Sequence, residues 1–531
     1  MTGLRRLWRA AKIWTMDPLR PAASVLAAIG PRLVYVGDDY NEAKSLLGRS
    51  FEALDLKGLT IVPGLIDSHA HVTHEGLRLG QLDLSGLSYV ESLRAVGQAV
   101  KNLPPGAFLH GRGWDQNIWE GRPWPNRKDL DEVSPEHPVV LDRVDKHSIW
   151  VNTKALDLAG PSVWGPDPVA GEILKDSCGE PLGVLIGQAM FLVYEALPPL
   201  DGRDRRATIY LAEKEFLSYG LTTVVDAAFG EEDFKVVEAA YAQGEMRIRY
   251  RGYAHPGHWP HLAALKRVDG LFQDHLAVDG LKLFSDGSLG SRSAWLFNDY
   301  HDRPGHKGAS SLTNEALAQW LTLARDKDLQ VAIHVIGDAA VAQAVDMIAR
   351  VLGPGWSGRR WRLEHFQVVA PRDMDRVLTM GLIPSIQSVG LMTDLLMAED
   401  RLGPDGLARA YAWRDILDRG GYLINGSDCP VEPVNPFFGI YAAVTRRNLA
   451  GLPKEGFTPA HRLTIWEALA SYTVWAARAA FQEGKLGVLK PGALADFVAL
   501  DQDLFAIKAA AIPKTKAILT VVGGETAYSR L

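Results

Sequence analysis

Cysteine is almost missing from this chain. Two residues, Cys178 and Cys429, stand far apart among 531 and form no C-x-x-C pair. A disulfide framework is therefore excluded, and a reducing cytoplasm is the simplest location. No apolar run approaches the length of a membrane helix. The N-terminal Leu4-Arg5-Arg6-Leu7-Trp8-Arg9 is basic but lacks an apolar signal core. No membrane partner is expected. Dense Lys/Arg blocks are lacking too, and 57 basic against 63 acidic residues leave a net charge of −6. That argues against a nucleic-acid surface. Low-complexity tracts and short repeats are absent.

What is present is an ordinary globular composition, 47% hydrophobic and 23% charged. The length is too great for one compact core, so a large domain with at least one smaller unit is expected. Apolar, β-rich runs alternate with helical stretches. The runs are 60–66, 221–228, 247–254, 278–285, 330–336, 361–369, 382–389 and 421–427. Helical patterns cover 203–219, stopped by Gly220, and 338–352, stopped by Gly353. Eight strand–helix units predict a closed (β/α)₈ barrel over residues 61–482. Residues 75–202 break the alternation and read as an inserted lid, rich in Trp, Pro and Gly. Short β segments in 1–60 and 483–531 predict one small β-sandwich built from both termini. A helix over 465–482 precedes the C-terminal part, and Thr464 and Glu467 have capping-box spacing.

Chemistry in such a barrel lies at the C-terminal ends of the strands. Polar residues stand there in runs that otherwise hold Val, Ile and Leu: His69 and His71 in Gly64-Leu-Ile-Asp-Ser-His-Ala-His71, then Lys282, His334, His365 and Asp428. On a strand, His69 and His71 point to one face. Each residue alone has an ordinary reading. A strand-end histidine is most often a hydrogen-bonded core residue, and Asp428 could cap a turn. Together, six such residues need a common reason. Imidazoles and carboxylates suit Zn²⁺, with other divalent metals open.

This set resembles the amidohydrolase superfamily. Its first strand carries His-x-His, matched by His69 and His71; its fourth a lysine carboxylated by CO₂ that bridges two metals, matched by Lys282. Histidines end its fifth and sixth strands, matched by His334 and His365, and an aspartate its eighth, matched by Asp428. Gly492-Ala-Leu-Ala-Asp-Phe497 looks like the family's C-terminal signature. The nearest branch is the amidohydrolase-3, or YtcJ-like, group, which includes N-substituted formamide deformylases. Shared features are Asp286-Gly-Ser-Leu-Gly-Ser-Arg292, Gly113-Trp114-Asp115, and Asp428 followed by Cys429-Pro430.

The resemblance implies a metal-dependent hydrolase of a C–N bond, of amide or formamide type, acting on a small molecule. It implies two Zn²⁺ per chain and a CO₂-derived carbamate on Lys282. Water held by the metals would be deprotonated to the hydroxide nucleophile. Asp428 would be both ligand and proton shuttle. Hydrolysis of an ester, lactone or carbamate stands as an alternative, as does a non-catalytic regulatory protein on the same barrel. The deaminase branch places a glutamate three residues after the strand-five histidine; here that position is Gly337, which disfavours deamination. A homodimer is left open.

Weaker signals surround this set. Trp114, Asp115 and His147 in the insertion, with Ser288 and Arg292 after Lys282, are candidate substrate contacts. The insertion's tryptophans also read as a lid core. His255-Pro-Gly-His258-Trp-Pro-His261 reads as a solvent-facing loop. His74 and Glu75 read either as support for the His-x-His pair or as a surface turn. Arg143 and Asp145 precede His147, and Cys429 reads as a small buried residue.

Overall fold

The computed structural model describes residues 3–104, 107–144, 147–168, 171–198, 202–262, 265–353 and 358–531; Asp145 lies outside them. The chain divides into two compact units, residues 1–75 with 209–531, and residues 76–208. Among the described residues no helix is long and apolar enough to cross a membrane.

The first unit contains a parallel barrel of eight strands: β1 (Leu65–Ala70), β2 (Leu221–Phe229), β3 (Arg249–Ala254), β4 (Leu276–Phe284), β5 (Gln330–Val335), β6 (Arg362–His365), β7 (Ile383–Ile386) and β8 (Ile424–Asn425). Each pairs with the next in chain order, as right-handed strand–helix units require. The seam between β8 and β1 closes just above the strands: Asp428 N–H donates to the His69 carbonyl at 2.6 Å, and His71 N–H to the Cys429 carbonyl at 2.9 Å. Gly426 permits this approach, since a Cβ there would lie 2.4 Å from the His69 nitrogen.

The strands are shorter than several apolar runs. His365 and Asp428 take φ of 69° and 58°, so the backbone turns out of the ladder at both residues. The helix Asp338–Leu352 lies on its sequence-predicted bounds, ended by Gly353 at φ 61°. The helix expected over 465–482 is instead two, Ile465–Ser471 and Val474–Ala479. The break at Tyr472 presents a carbonyl to Ile66 N–H at 2.8 Å, so pairing with β1 replaces helical continuity. Both capping-box bonds of Thr464 and Glu467 are present.

The termini build one hydrogen-bonded sheet of seven strands, in the order Glu525–Ser529, Ala517–Val522, Phe497–Leu500, Glu52–Pro63, Arg5–Trp14, Ala22–Ile29 and Arg32–Gly37. Hydrogen bonding does not divide it into the two layers of the expected sandwich. Trp8, Leu26 and Phe497 pack on one face. The helix Tyr40–Leu47 contributes Ala43 and Leu47 to a second cluster with Leu7, Val25 and Tyr35. The run 60–66 is therefore shared: Thr60–Pro63 pair with Phe497–Leu500, and Leu65 begins the barrel.

The second unit has its own six-stranded sheet, in the order Gly171–Lys175, Pro181–Gly187, Ser148–Val151, Val139–Arg143, Leu109–Trp114 and Leu82–Asp83. Trp114, Trp119 and Trp150 pack in one of its cores, with Leu84, Leu130 and Leu141.

Candidate metal centre

The polar residues picked from the strand ends converge at one end of the barrel. Alternation along β1 sends His69 inward. Its Nδ1 lies 2.5 Å from Glu364 Oε2 on β6, and its Nε2 lies 3.2 Å from Lys282 Nζ and 3.4 Å from Asp428 Oδ1. His71 Nε2 lies 3.1 Å from the same Asp428 oxygen. The His365 ring centroid is 5.1 Å from His69 and 4.4 Å from His334. His334 Nε2 stands 3.2 Å from the Gly287 carbonyl.

One donor atom from each of His69, His365 and Asp428 lies within 4.8 Å of the others. This donor set fits a divalent cation. Glu364 accepts the Nδ1 proton of His69, which leaves the Nε2 lone pair for a metal, as ligating histidines commonly require. Lys282 is wholly buried, and among the described residues no carboxylate pairs with its amine. An amine placed so is expensive as a cation.

The electrostatics follow from burial and from these neighbours. Burial lowers the Lys282 amine to about 8. Burial, with Lys282 nearby, lowers His334 to about 4. Burial, then His334, holds His365 well below the usual imidazole range. Burial would push the Asp428 carboxyl up, but His69 and His71 outweigh it and hold it well below the usual carboxylate range. Asp428 is thus an anion at neutral pH, and His334 and His365 are neutral imidazoles.

A sequence model described as "Amidohydrolase family" matches residues 52–528. The chain belongs to this amidohydrolase family. It is 35% identical over 97% of its length to Protein LONG AFTER FAR-RED 3 of Arabidopsis thaliana, covering 90% of that protein. It is 33% identical over 90% of its length to putative amidohydrolase YtcJ of Bacillus subtilis (strain 168), covering 91% of it. It is 27% identical over its whole length to the N-substituted formamide deformylase of Arthrobacter pascens, covering 99% of it. Among solved structures, an uncharacterized metal-dependent hydrolase from Pyrococcus horikoshii OT3 superposes with a TM-score of 0.80 and 27% identity, over 95% of this chain and 99% of that one.

Around the candidate ligands this amidohydrolase has a layer of charged residues that the sequence reading passed over. Arg362 donates from Nε to Glu364 Oε1 at 2.8 Å and from Nη2 to Oε2 at 3.1 Å. The same Nη2 donates to the Ser68 carbonyl at 2.5 Å and to Ser385 Oγ at 3.3 Å. Glu364 is fully buried; burial opposes its charge, but Arg362 and His69 hold it well below the usual range. Asp67 Oδ1 accepts from the backbone N–H of His69 at 3.1 Å and of Ser427 at 3.0 Å, which ties β1 to the turn after β8. The available signal was the one that marked Lys282. Arg362-x-Glu364 puts two charges on one face of an otherwise apolar run.

Asp286 of the Asp-Gly-Ser-Leu-Gly-Ser-Arg stretch is a brace. It accepts from Ile336 and Gly337 N–H at 3.0 and 2.8 Å and from Trp295 N–H at 2.9 Å. Gly337 is pressed on this brace: a Cβ there would lie 1.9 Å from the Trp295 carbonyl oxygen. The position that carries glutamate in deaminases has no room here for any side chain.

The candidate substrate contacts are placed as follows. Trp114 has no exposed surface, and its indole N–H donates to the Leu141 carbonyl at 2.8 Å within its own unit. It is a core residue, and a substrate contact there is set aside. Asp115 caps the turn at Asn117 and lies 3.3 Å from Arg143 Nη2. His147 is exposed. Ser288 is exposed and hydrogen-bonded to Ser291 Oγ at 2.7 Å. Arg292 grips Asp302 through two bonds of 3.0 and 2.7 Å. His74 and Glu75 lie on the helix Val72–Gly80 rather than in a surface turn, and Glu75 is buried. The His74 ring is 6.0 Å from His71. In the loop after β3, His261 is exposed beside Glu231 at 3.1 Å, and the His255 and His258 rings are 4.6 Å apart. Cys429 is buried, and burial raises its thiol well above the ordinary value.

Proposed function

We propose that this amidohydrolase hydrolyses a C–N bond of amide or formamide type in a small molecule, using divalent metal held by His69, His71, Lys282, His334, His365 and Asp428. The observation that carries this reading is Lys282: an amine buried completely at the ligand cluster, 3.2 Å from His69 Nε2. Conversion to a carbamate by CO₂ would turn that costly cation into an anion suited to a pair of cations, as the family resemblance implies. When bound, the metal supplies a Lewis acid for the carbonyl and lowers the pKa of water.

Asp428 supplies the proton chemistry. Its carboxylate is ionised, stands between His69 and His71, and can accept a proton from the attacking water and hand it to the leaving nitrogen. Glu364 keeps Nδ1 of His69 protonated and the ring oriented. The full-length similarity to an N-substituted formamide deformylase supports a C–N substrate. The filled space at Gly337 weighs against deamination.

Elemental analysis of protein purified with bicarbonate and without chelator tests the reading. About two metals per chain are expected in the native protein and about one after Lys282→Ala. Two metals retained in that variant would refute the carbamate role. No metal in the native protein, even after zinc addition, would refute the reading as a whole.

A further inference from the structure

Gln387 follows directly on β7. Its φ of −119° is still that of a strand residue, and its ψ of 81° turns the chain into the 3₁₀ turn Ser388–Gly390. Ser385, two residues earlier, points inward, where its Oγ accepts from Arg362. Ser388 points outward, donating to the Gly439 carbonyl at 2.9 Å and facing Asn425. Alternation therefore sends Gln387 inward, one layer above Ser385.

The register identifies that layer. Glu364 on β6 is paired with Ser385, and Asn425 on β8 with Ile386. Two places beyond Ser385, Gln387 comes level with Phe366, directly after the candidate ligand His365 that ends β6, and, just past β8, with Gly426, which has no side chain to offer. Gln387 stands at the mouth of the barrel, one residue past the level of His365.

Its amide has no counterpart within the protein. Both Nε2 and Oε1 are closed to solvent, and neither bonds to a protein group. Two other glutamines leave a buried oxygen unpartnered, but each uses its nitrogen: Gln367 donates to Asp394 and Gln482 to Asp269. Among the described residues Gln387 alone has both ends unmatched. A buried amide without partners is destabilising. At a position facing the ligand layer, its partners are groups of a bound molecule.

We propose that Gln387 is a specificity-determining residue that reads the amide group of the substrate. Its Oε1 accepts the N–H of the bond to be cleaved, and its Nε2 donates to an acceptor of the same molecule. This rests on the C–N reading above and deepens it. An ester presents no N–H, so Oε1 would be left buried without a donor. A site built around a substrate N–H discriminates on that ground.

The test compares N-phenethylformamide with phenethyl formate, which differ at the atom Gln387 would read, in the native metal-loaded enzyme and in Gln387→Leu. The native enzyme should favour the formamide. The variant should lose on the order of 10- to 100-fold in kcat/KM for the formamide and little for the ester. Metal content should be unchanged, and the thermal midpoint equal or higher, because leucine removes an unpartnered buried amide. An equal loss on both compounds would overturn the inference alone. So would a midpoint lowered by several degrees, which would mean that the amide has partners in the folded chain. A native enzyme that cleaves neither compound would overturn the C–N reading and this inference with it.

Discussion

The charged layer beneath the ligands makes a prediction that separates stability from metal affinity. Glu364 is shared between Arg362 and His69 and is fully buried, as is nearly all of Arg362. Glu364→Gln removes the negative charge and leaves a buried guanidinium facing a neutral amide. Removing one partner of a buried ion pair costs about 3–5 kcal/mol; the amide oxygen still accepts from Arg362, so the lower end applies. For a chain of this length about 1 kcal/mol corresponds to one degree, so the thermal midpoint should fall by about 3 °C. Independently, His69 loses the acceptor that holds its Nδ1 proton. Metal affinity should fall by about 10- to 100-fold, read by titration against a competing chelator. The double variant Arg362→Met with Glu364→Met distinguishes the two effects. Its midpoint should recover, since apolar residues replace the pair, while its metal affinity stays low. Native metal affinity in Glu364→Gln would refute the proposed orientation of His69. A double variant no more stable than the single one would refute the ion-pair account.

Three further outcomes follow from the same structure. Asp428→Asn should lower turnover by about 10²-fold or more while much of the metal stays bound; near-native turnover would remove Asp428 from proton transfer. Gly337→Ala places a Cβ 1.9 Å from the Trp295 carbonyl, an overpacking that should cost about 1–3 kcal/mol; an unchanged denaturation midpoint would show that the Asp286 brace yields freely. Asp394 is raised by burial to about 6, with bonds from Tyr411 and Gln367 offsetting part of the shift. Its folded value exceeds the unfolded one of about 3.9, so its contribution to stability is complete below that value and is lost as pH rises through about 6. Asp394→Asn should therefore gain on the native protein, in urea denaturation, between pH 4.5 and pH 7.5; a constant difference across that range would contradict the burial of this carboxyl.

Much of the barrel was legible in the chain because burial on both faces leaves apolar runs, and a run that must carry chemistry is interrupted by residues which do not belong in a core. That is why His69, Lys282, His334, His365 and Asp428 stand out in the chain itself, in the order of the strands that carry them. Local capping was legible too: Thr464 with Glu467, and Gly353 after its helix, act through neighbours a few residues away. What the chain did not show depends on contacts between distant segments. The interruption at Tyr472 serves Ile66, some four hundred residues earlier, and no local propensity reports it. The ion pair beneath His69 needs β6 and β1 side by side, and the crowding at Gly337 needs the loop that carries Trp295. Trp114 looked the same in sequence whether it faced a ligand or a core; only its burial distinguishes the two. For Gln387, the sequence names an amide at the end of an apolar run. Only packing decides that both its polar atoms are closed off from water with no partner in the chain, because satisfaction of a hydrogen bond is a property of neighbours in space.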